Sequence, residues 1–353
     1  MPVTESLAPQ FGIRINGSDL PFKAMTDVIS VTVHQDVAAP GMFALRLITW
    51  DITAIKITWA DDELFAVGNE VEIQMGYVDD LHILMVGEIT GLEPEFFASE
   101  VPLLTVRGYD RRHRLLRGRK TRSFTQVKDS DLASQIAVRA GLSAQATDTG
   151  VTLDYVLQHN QTDLEFLQDR AQRIGYEVVV EDKTLQFRPR QHAGSEVLTL
   201  NREGDLIEFY PRLTTLNQVD AVAVRSWNPR DKQAIVGQAA SGDESTRMGG
   251  STVGPAAAAA AFGSTESASV DRPVFSQAEA DQMARGRFDE LALAYITGEG
   301  SCIGRTDLRA GTLIGIEGLG RRFSGSYYVT STTHTYTPQR GYRTGFTVRR
   351  NAT

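Results

Sequence analysis

Two stretches near opposite ends of this chain repeat one pattern. Gly68-Asn-Glu-Val-Glu-Ile leads through a further strand-like segment to Leu104-Thr-Val-Arg, and Gly311-Thr-Leu-Ile-Gly-Ile leads in the same way to Phe346-Thr-Val-Arg. The opening glycine and the valine are 38 residues apart in the first stretch and 37 in the second. Each block is typical of a three-stranded meander, although β patterns are degenerate and coincidence is the alternative. The repeat therefore predicts two β-barrels of the same kind in one chain.

Short strands dominate the first hundred residues. Asn16-Gly17 and Pro40-Gly41 supply turn residues between apolar or alternating runs. Such spacing indicates an antiparallel sandwich or barrel, and we assign residues 1–107 to a first β-barrel. The predicted strands cover residues 11–15, 28–33, 42–47, 71–75, 82–86 and 103–107.

Residues 108–192 are predicted to form a small α+β insertion. Thr162 and Glu165 have capping-box spacing ahead of an apolar helical face. An earlier helix carries Leu132 and Ile136 on its apolar face, and a hairpin is expected across Asp182-Lys183. The fold class is therefore mainly β with an α+β insertion: two tube-like antiparallel β-barrel domains plus a small helical and hairpin domain.

Residues 193–353 are predicted to form the second β-barrel. They include a segment at 237–270 that is rich in Ala, Ser and Gly, with six consecutive alanines from Ala256 to Ala261. A helix is the alternative there, but a surface loop is favoured because short isolated helices are marginal. Ser276 and Glu279 then form another capping box, which predicts a helix over 276–296.

One basic run stands out in an acidic chain. The formal net charge is −8, yet eight basic side chains between Arg107 and Arg122 are opposed only by Asp110, which gives this run +7. Clustered cations can bind the phosphates of nucleic acid. The favoured alternative is a protein-facing turn that docks on an acidic partner or on this chain's own acidic surface. The candidate interaction residues are Arg111, Arg112, Arg114, Arg117, Arg119 and Arg122.

The sequence contains no catalytic or phosphate-binding motif that fits its surroundings. The histidines have no metal-ligand spacing, and the single cysteine, Cys302, excludes a disulfide framework. We therefore expect no catalytic residues, no cofactor and no metal. No apolar run has the length of a membrane span and no secretory signal is recognisable, so synthesis and assembly in the cytoplasm are expected.

Four motifs, in order along the chain, resemble the phage late control protein D family, which includes the N-terminal hub part of type VI secretion VgrG spikes. They begin at Gly108-Tyr-Asp-Arg-Arg-His, Asn160-Gln-Thr-Asp-Leu-Glu, Ile296-Thr-Gly-Glu-Gly and Phe323-Ser-Gly-Ser-Tyr-Tyr. The resemblance implies two tube-like β-barrels with an α+β insertion, assembled as a homotrimer. It covers nearly the whole chain except the poly-alanine region.

The resemblance also implies a function. The chain is expected to be a non-enzymatic central hub in the baseplate of a contractile injection system. It would join a hexameric inner tube to a separate trimeric spike protein, beside baseplate wedge and tape-measure proteins, with no nucleic acid and no direct membrane span. The particle could be a virion, an extracellular particle or a membrane-anchored one. The alternatives are a tail-associated cell-wall hydrolase and a nucleic-acid-binding protein that uses the basic run.

Overall fold

The computed structural model describes residues 8–229, 231–270 and 273–353. The chain is mainly β, with few helices, as predicted. Alternating side chains build its strands: Phe43, Leu45 and Leu47 are fully buried while Arg46 between them is exposed. This period of two places one face of the sheet against a core.

The first β region begins at β1 and ends at β9. A short 3-10 turn over Glu63–Phe65 precedes the β7–β8–β9 meander. The elements are β1 (Pro9–Ile15), β2 (Ser18–Asp19), α1 (Phe22–Asp27), β3 (Val28–Asp36), β4 (Met42–Ile48), β5 (Trp50–Asp51), β6 (Lys56–Ile57), β7 (Glu70–Tyr77), β8 (Asp80–Glu95) and β9 (Leu103–Tyr109).

The insertion follows a 3-10 turn over Arg111–Leu116. The predicted capping box is present, because Thr162 Oγ1 accepts from the Glu165 amide and Glu165 Oε2 accepts from the Thr162 amide. The predicted hairpin is also present. The elements are β10 (Lys120–Val127), α2 (Asp129–Arg139), β11 (Ser143–Ala146), β12 (Leu153–Gln161), α3 (Asp163–Arg173), β13 (Tyr176–Glu181) and β14 (Thr184–Pro189).

The second β region carries an accessory three-stranded sheet, β18-β17-β19, with α5 packed on it. The elements are β15 (Leu198–Asn201), β16 (Leu206–Leu213), β17 (Ala221–Asn228), β18 (Gln233–Ala240), α4 (Gly254–Phe262), β19 (Glu266–Ser269), α5 (Gln277–Ala292), β20 (Ile296–Ile303), β21 (Leu313–Glu317), α6 (Gly320–Phe323), β22 (Gly325–Thr337) and β23 (Gly341–Arg350).

The prediction of a loop at 237–270 is wrong, because this segment contains part of β18 and the whole of α4 and β19. A Cβ added to Gly237 would lie 2.2 Å from the Ala280 carbonyl, so the small residue allows β18 to pack directly on α5. Pro255 lies in the first turn of the poly-alanine helix, where a missing N–H costs nothing, and Ala258 is buried. The helix predicted over 276–296 ends at Ala292, and Ile296 already begins β20.

The two β regions share one 13-stranded sheet. Its main path runs β16-β20-β23-β22-β3-β4-β9-β8-β7-β1-β2, with β21 paired to β22 and β15. Over the described ranges, the strand pairing leaves both halves open, with neither closing on itself as a separate barrel. The halves join where β3 lies antiparallel to β22.

The internal repeat is present in the strand topology. The first β unit (β3, β4, β7, β8 and β9) has spatial order β3-β4-β9-β8-β7, and the second β unit (β16 and β20 to β23) has order β16-β20-β23-β22-β21. Both units therefore place their successive strands in the order 1-2-5-4-3. The register also shifts at matching places, between Ile89 and Gly91 in β8 and between Val329 and Ser331 in β22.

The Thr-Val-Arg motifs themselves are two residues out of structural register. Next to the bulge, Gly91 pairs with Arg107, whereas Ser331 pairs with Thr347. Arg107 is therefore the structural counterpart of Thr347 and not of Arg349. A slip of two keeps the inward and outward alternation, which is why the sequence match survives it.

The tip of the β22–β23 hairpin packs into the first β region. Tyr342 belongs to its core, and the ring of Tyr336 lies 4.7 Å from that of Phe11 between centroids. The Tyr77 hydroxyl donates to the carbonyl of Gly304 at 2.9 Å. Because the last hairpin completes the first core, the two β regions are interlocked.

Candidate functional site

The basic run lies where the first β region meets the insertion. It leaves β9, forms the 3-10 turn and enters β10. The side chains of Arg111 and Arg112 are only 2% and 5% exposed. The prediction that they contact another protein is wrong, because both are buried against partners within the chain.

Arg111 bridges two parts of the fold. Its guanidinium contacts Glu70 at the start of β7 and Asp182 in the β13–β14 turn, and its Nε lies 3.3 Å from Glu88 Oε1. Burial of Glu88 opposes its ionisation. The contact with Arg114 and the charges of His113 and Arg111 prevail, so the pKa of Glu88 lies below its ordinary value. This cluster ties the insertion to the first β region.

Arg112 fixes the turn between β3 and β4. Its Nη2 lies 2.8 Å from Asp110 Oδ2, and its Nη1 donates to the Asp36 carbonyl at 2.9 Å. Asp110 Oδ2 also accepts from the Gly41 amide at 2.6 Å. Asp110, the single acid inside the basic run, therefore joins Arg112 to the β3–β4 turn.

The C-terminal part of the run binds the start of α3. Arg119 pairs with Glu165 at 2.9 Å, and Lys120 and Arg122 share Asp163. Acidic groups are favoured at a helix N-terminus, and the basic side chains neutralise them here. The run therefore docks mainly on this chain's own acidic surface, one of the alternatives set out above. Arg114 also pairs with Glu88, and Arg117 is exposed.

A second candidate surface, which the sequence analysis missed, is built from strand edges. β16 ends the main sheet path and pairs with β20, and residues 91–95 of β8 pair with β9 but extend beyond the end of β7. An unpaired edge presents free N–H and C=O groups that can accept another strand. Phe96, directly after β8, is 62% exposed. The internal repeat could have indicated this surface from sequence, because it implies that a strand pairing made by one unit has a counterpart in the other.

Two titratable groups in the core, Cys302 and His334, are held in their neutral forms. Burial raises the pKa of Cys302 to about 12, and burial with the charge of Arg309 lowers the pKa of His334 to about 3. In the part of the chain that the structure describes, no group of three or more His, Cys, Asp or Glu residues could hold a metal ion. No described helix is long and apolar enough to cross a membrane.

The fold is that of phage tail proteins. The 43 kDa tail protein of prophage MuSo2 from Shewanella oneidensis superposes with a TM-score of 0.71 at 11% identity, covering 97% of this chain and 98% of that one. A tail protein from Neisseria meningitidis gives 0.69 at 12% identity, covering 97% of each chain. A component of the Escherichia coli type VI secretion system gives 0.64 at 13% identity, covering 96% of this chain and 77% of that one.

The sequence places the chain in a particular family. Residues 5–338 match the Alg8 N-terminal domain family, and the chain belongs to that family. No curated protein matches the sequence.

Proposed function

We propose that this chain is the structural, non-enzymatic central hub of the baseplate of a contractile injection system, related to the late control protein D family and to the hub part of VgrG. The tail-protein fold supports a place in a phage-tail-like particle. The neutral, buried state of Cys302 and His334 supports a scaffold role, because neither group is poised for acid–base or nucleophilic chemistry.

The observation that carries the proposal is the repeat of one five-stranded unit in one chain. Three copies of a two-unit chain present six similar faces around one axis, whereas the assembly as a whole keeps three-fold symmetry. A homotrimer can therefore contact a hexameric inner tube with its β units and a separate trimeric spike with the features that differ between the units. Wedge and tape-measure proteins are the remaining expected neighbours.

The two alternative functions stand differently, because the paired basic run weakens only the nucleic-acid hypothesis. The nucleic-acid hypothesis depended on an uncompensated basic run, but most of its side chains are paired with Glu70, Glu88, Asp110, Asp163 or Glu165. A cell-wall hydrolase would require a constellation of acidic or nucleophilic groups, and the peptidoglycan assay described below tests that hypothesis.

Electron microscopy of the native particle tests the proposal. We expect three copies of the chain between tube and spike, with both β units of each copy facing the tube. Six copies would contradict the adaptor argument, because six chains need only one unit each. Release of soluble fragments from purified peptidoglycan by the isolated chain, above a buffer blank, would contradict the non-enzymatic role.

A further inference from the structure

The chain already contains one junction between its first and second β units. β3, the first strand of the first unit, lies along the part of β22 that follows the bulge. In this register Thr333 lies opposite His34 and Tyr336 opposite Val31, and the side chains of Thr333 and His34 are 3.0 Å apart. The junction is therefore a template for how one unit follows another.

Two further strand segments correspond to this junction but are not paired with each other in the chain. β16 has the position of β3, and both strands shift register at the same point, between Leu206 and Glu208 and between Val28 and Ser30. The post-bulge part of β8 has the position of the post-bulge part of β22. Over the described residues neither β16 nor residues 91–95 of β8 has a second strand partner.

We propose that β16 of one copy of this chain lies antiparallel along residues 91–96 of a second copy and repeats the β3–β22 junction between chains. The inference rests on the proposed function in taking a second copy as the partner. Transferring the register through the shared bulges sets Leu92 opposite Leu213, Glu93 opposite Arg212 and Phe96 opposite Phe209.

Phe96 is the counterpart of Tyr336, whose ring is packed on Phe11. Phe96 has no such cover in a single chain. Its proposed partner, Phe209, is half-buried, with its ring 5.6 Å from Tyr327 and 6.0 Å from Phe346 between centroids. An aromatic cross-strand pair would extend this cluster across the interface and remove an exposed ring from water.

Charge and backbone chemistry fit the same register. Arg212 is exposed opposite Glu93, whose carboxylate also meets Arg107 at 2.7 Å. The neighbouring pair in this register sets Pro94 opposite Pro211. Neither proline has a backbone N–H to donate across the junction. Prolines on edges deter indiscriminate strand addition, so specificity at this junction would come from the side chains on either side.

The two surfaces differ, so the contact is head-to-tail and can close into a ring. Cross-linking tests it on the full-length chain and on assembled particles. The double variant Glu93→Cys with Arg212→Cys should form disulfides between chains, because paired strand positions have suitable Cα separations and the native Cys302 is buried. The matched control, His34→Cys with Thr333→Cys, occupies the template position and should form its disulfide within one chain.

The expected result on a non-reducing gel is a closed covalent trimer for the first variant and a monomer for the control. Particles that hold three copies without this cross-link would overturn the junction and leave the hub proposal standing. A cross-linked ring of another size would support the junction and contradict the three-fold adaptor.

A second variant tests the aromatic contact independently. Phe96→Asp should weaken self-association at least tenfold in sedimentation experiments while the melting temperature of the monomer stays unchanged, because this ring is already exposed. Phe262→Asp is the control, since Phe262 is 80% exposed on α4, outside the proposed interface. Equal association of both variants and the unsubstituted chain would overturn the role of Phe96.

Discussion

Gly68 and Gly311 occupy the same position in the two β units. The Gly68 amide donates to the Ile89 carbonyl and the Gly311 amide to the Val329 carbonyl, each at 2.8 Å. Both glycines have positive φ, at 96° and 84°, and both precede the residue that accepts the return hydrogen bond. The repeat therefore extends to single hydrogen bonds at the bulge that separates the two halves of each long strand.

Replacing either glycine should destabilise its unit. Gly68→Ala or Gly311→Ala forces a side chain into a left-handed backbone conformation, at a cost of about 1–2 kcal/mol in the free energy of unfolding. Chemical denaturation measures this, with Gly204→Ala as control because that site is open and has no positive φ. Equal losses at Gly68 and Gly204 would contradict the conformational argument.

Arg111→Ala should cost about 3 kcal/mol in the free energy of unfolding. The substitution removes a buried guanidinium from Glu70, Asp182 and Glu88, and Glu88, which keeps only Arg114 and His113 beside it, is the most enclosed of the three carboxylates. Arg117→Ala, at an exposed position in the same run, should change stability by no more than about 0.5 kcal/mol. Matching unfolding curves for the two variants would show that Arg111 does not join the insertion to the first β region.

His334 should make the protein less stable in acid. The unfolded chain takes up a proton near the ordinary pKa of 6.5, whereas the folded chain keeps His334 neutral down to about pH 3. The free energy of unfolding should therefore fall as pH decreases from 6.5 towards 3, by up to about 1.4 kcal/mol per pH unit. Urea titrations between pH 7.5 and 4 should show that the free energy of unfolding falls less steeply with decreasing pH in His334→Gln than in the unsubstituted chain. An equally steep fall in both proteins would refute the assignment.

Gly237→Ala should disrupt the packing of β18 on α5. The added Cβ would meet backbone atoms of Ala280 and Asp281, which cannot move independently of the helix, and overpacking typically costs about 1–3 kcal/mol. Limited proteolysis should then cleave the accessory sheet faster than in the unsubstituted chain. Gly194→Ala is the control, because a Cβ added there would meet only the Gln191 carbonyl oxygen, at 4.0 Å.

Local patterns predicted local structure well. The capping box at Thr162, the hairpin across Asp182 and the two meanders all follow from spacings within about 40 residues. Small residues were misleading, because the alanines of α4 and Gly237 of β18 indicate close packing as readily as a loop. Their structure depends on tertiary contacts that composition does not record.

Long-range pairing was beyond the sequence pattern. The β3–β22 ladder joins residues about 300 positions apart, and nothing local in either strand specifies its partner. The same holds for Arg111, whose charge predicted a surface role while its contacts come from Glu70 and Asp182. The sequence match reveals the repeat, but only the bulges in β8 and β22 show that its two Thr-Val-Arg motifs are offset by two residues in the structure.

The place of Tyr336 and Tyr342 in the first core has a consequence for synthesis. Tyr342 is made 236 residues after Val106, which belongs to the same core. At about 5–20 residues per second, the nascent first region waits roughly 10–50 s for its last aromatic side chains. During that interval Phe11 and Tyr77 lack these partners, so a chain that stalls before residue 336 emerges with an unfinished core and is exposed to chaperones and proteases.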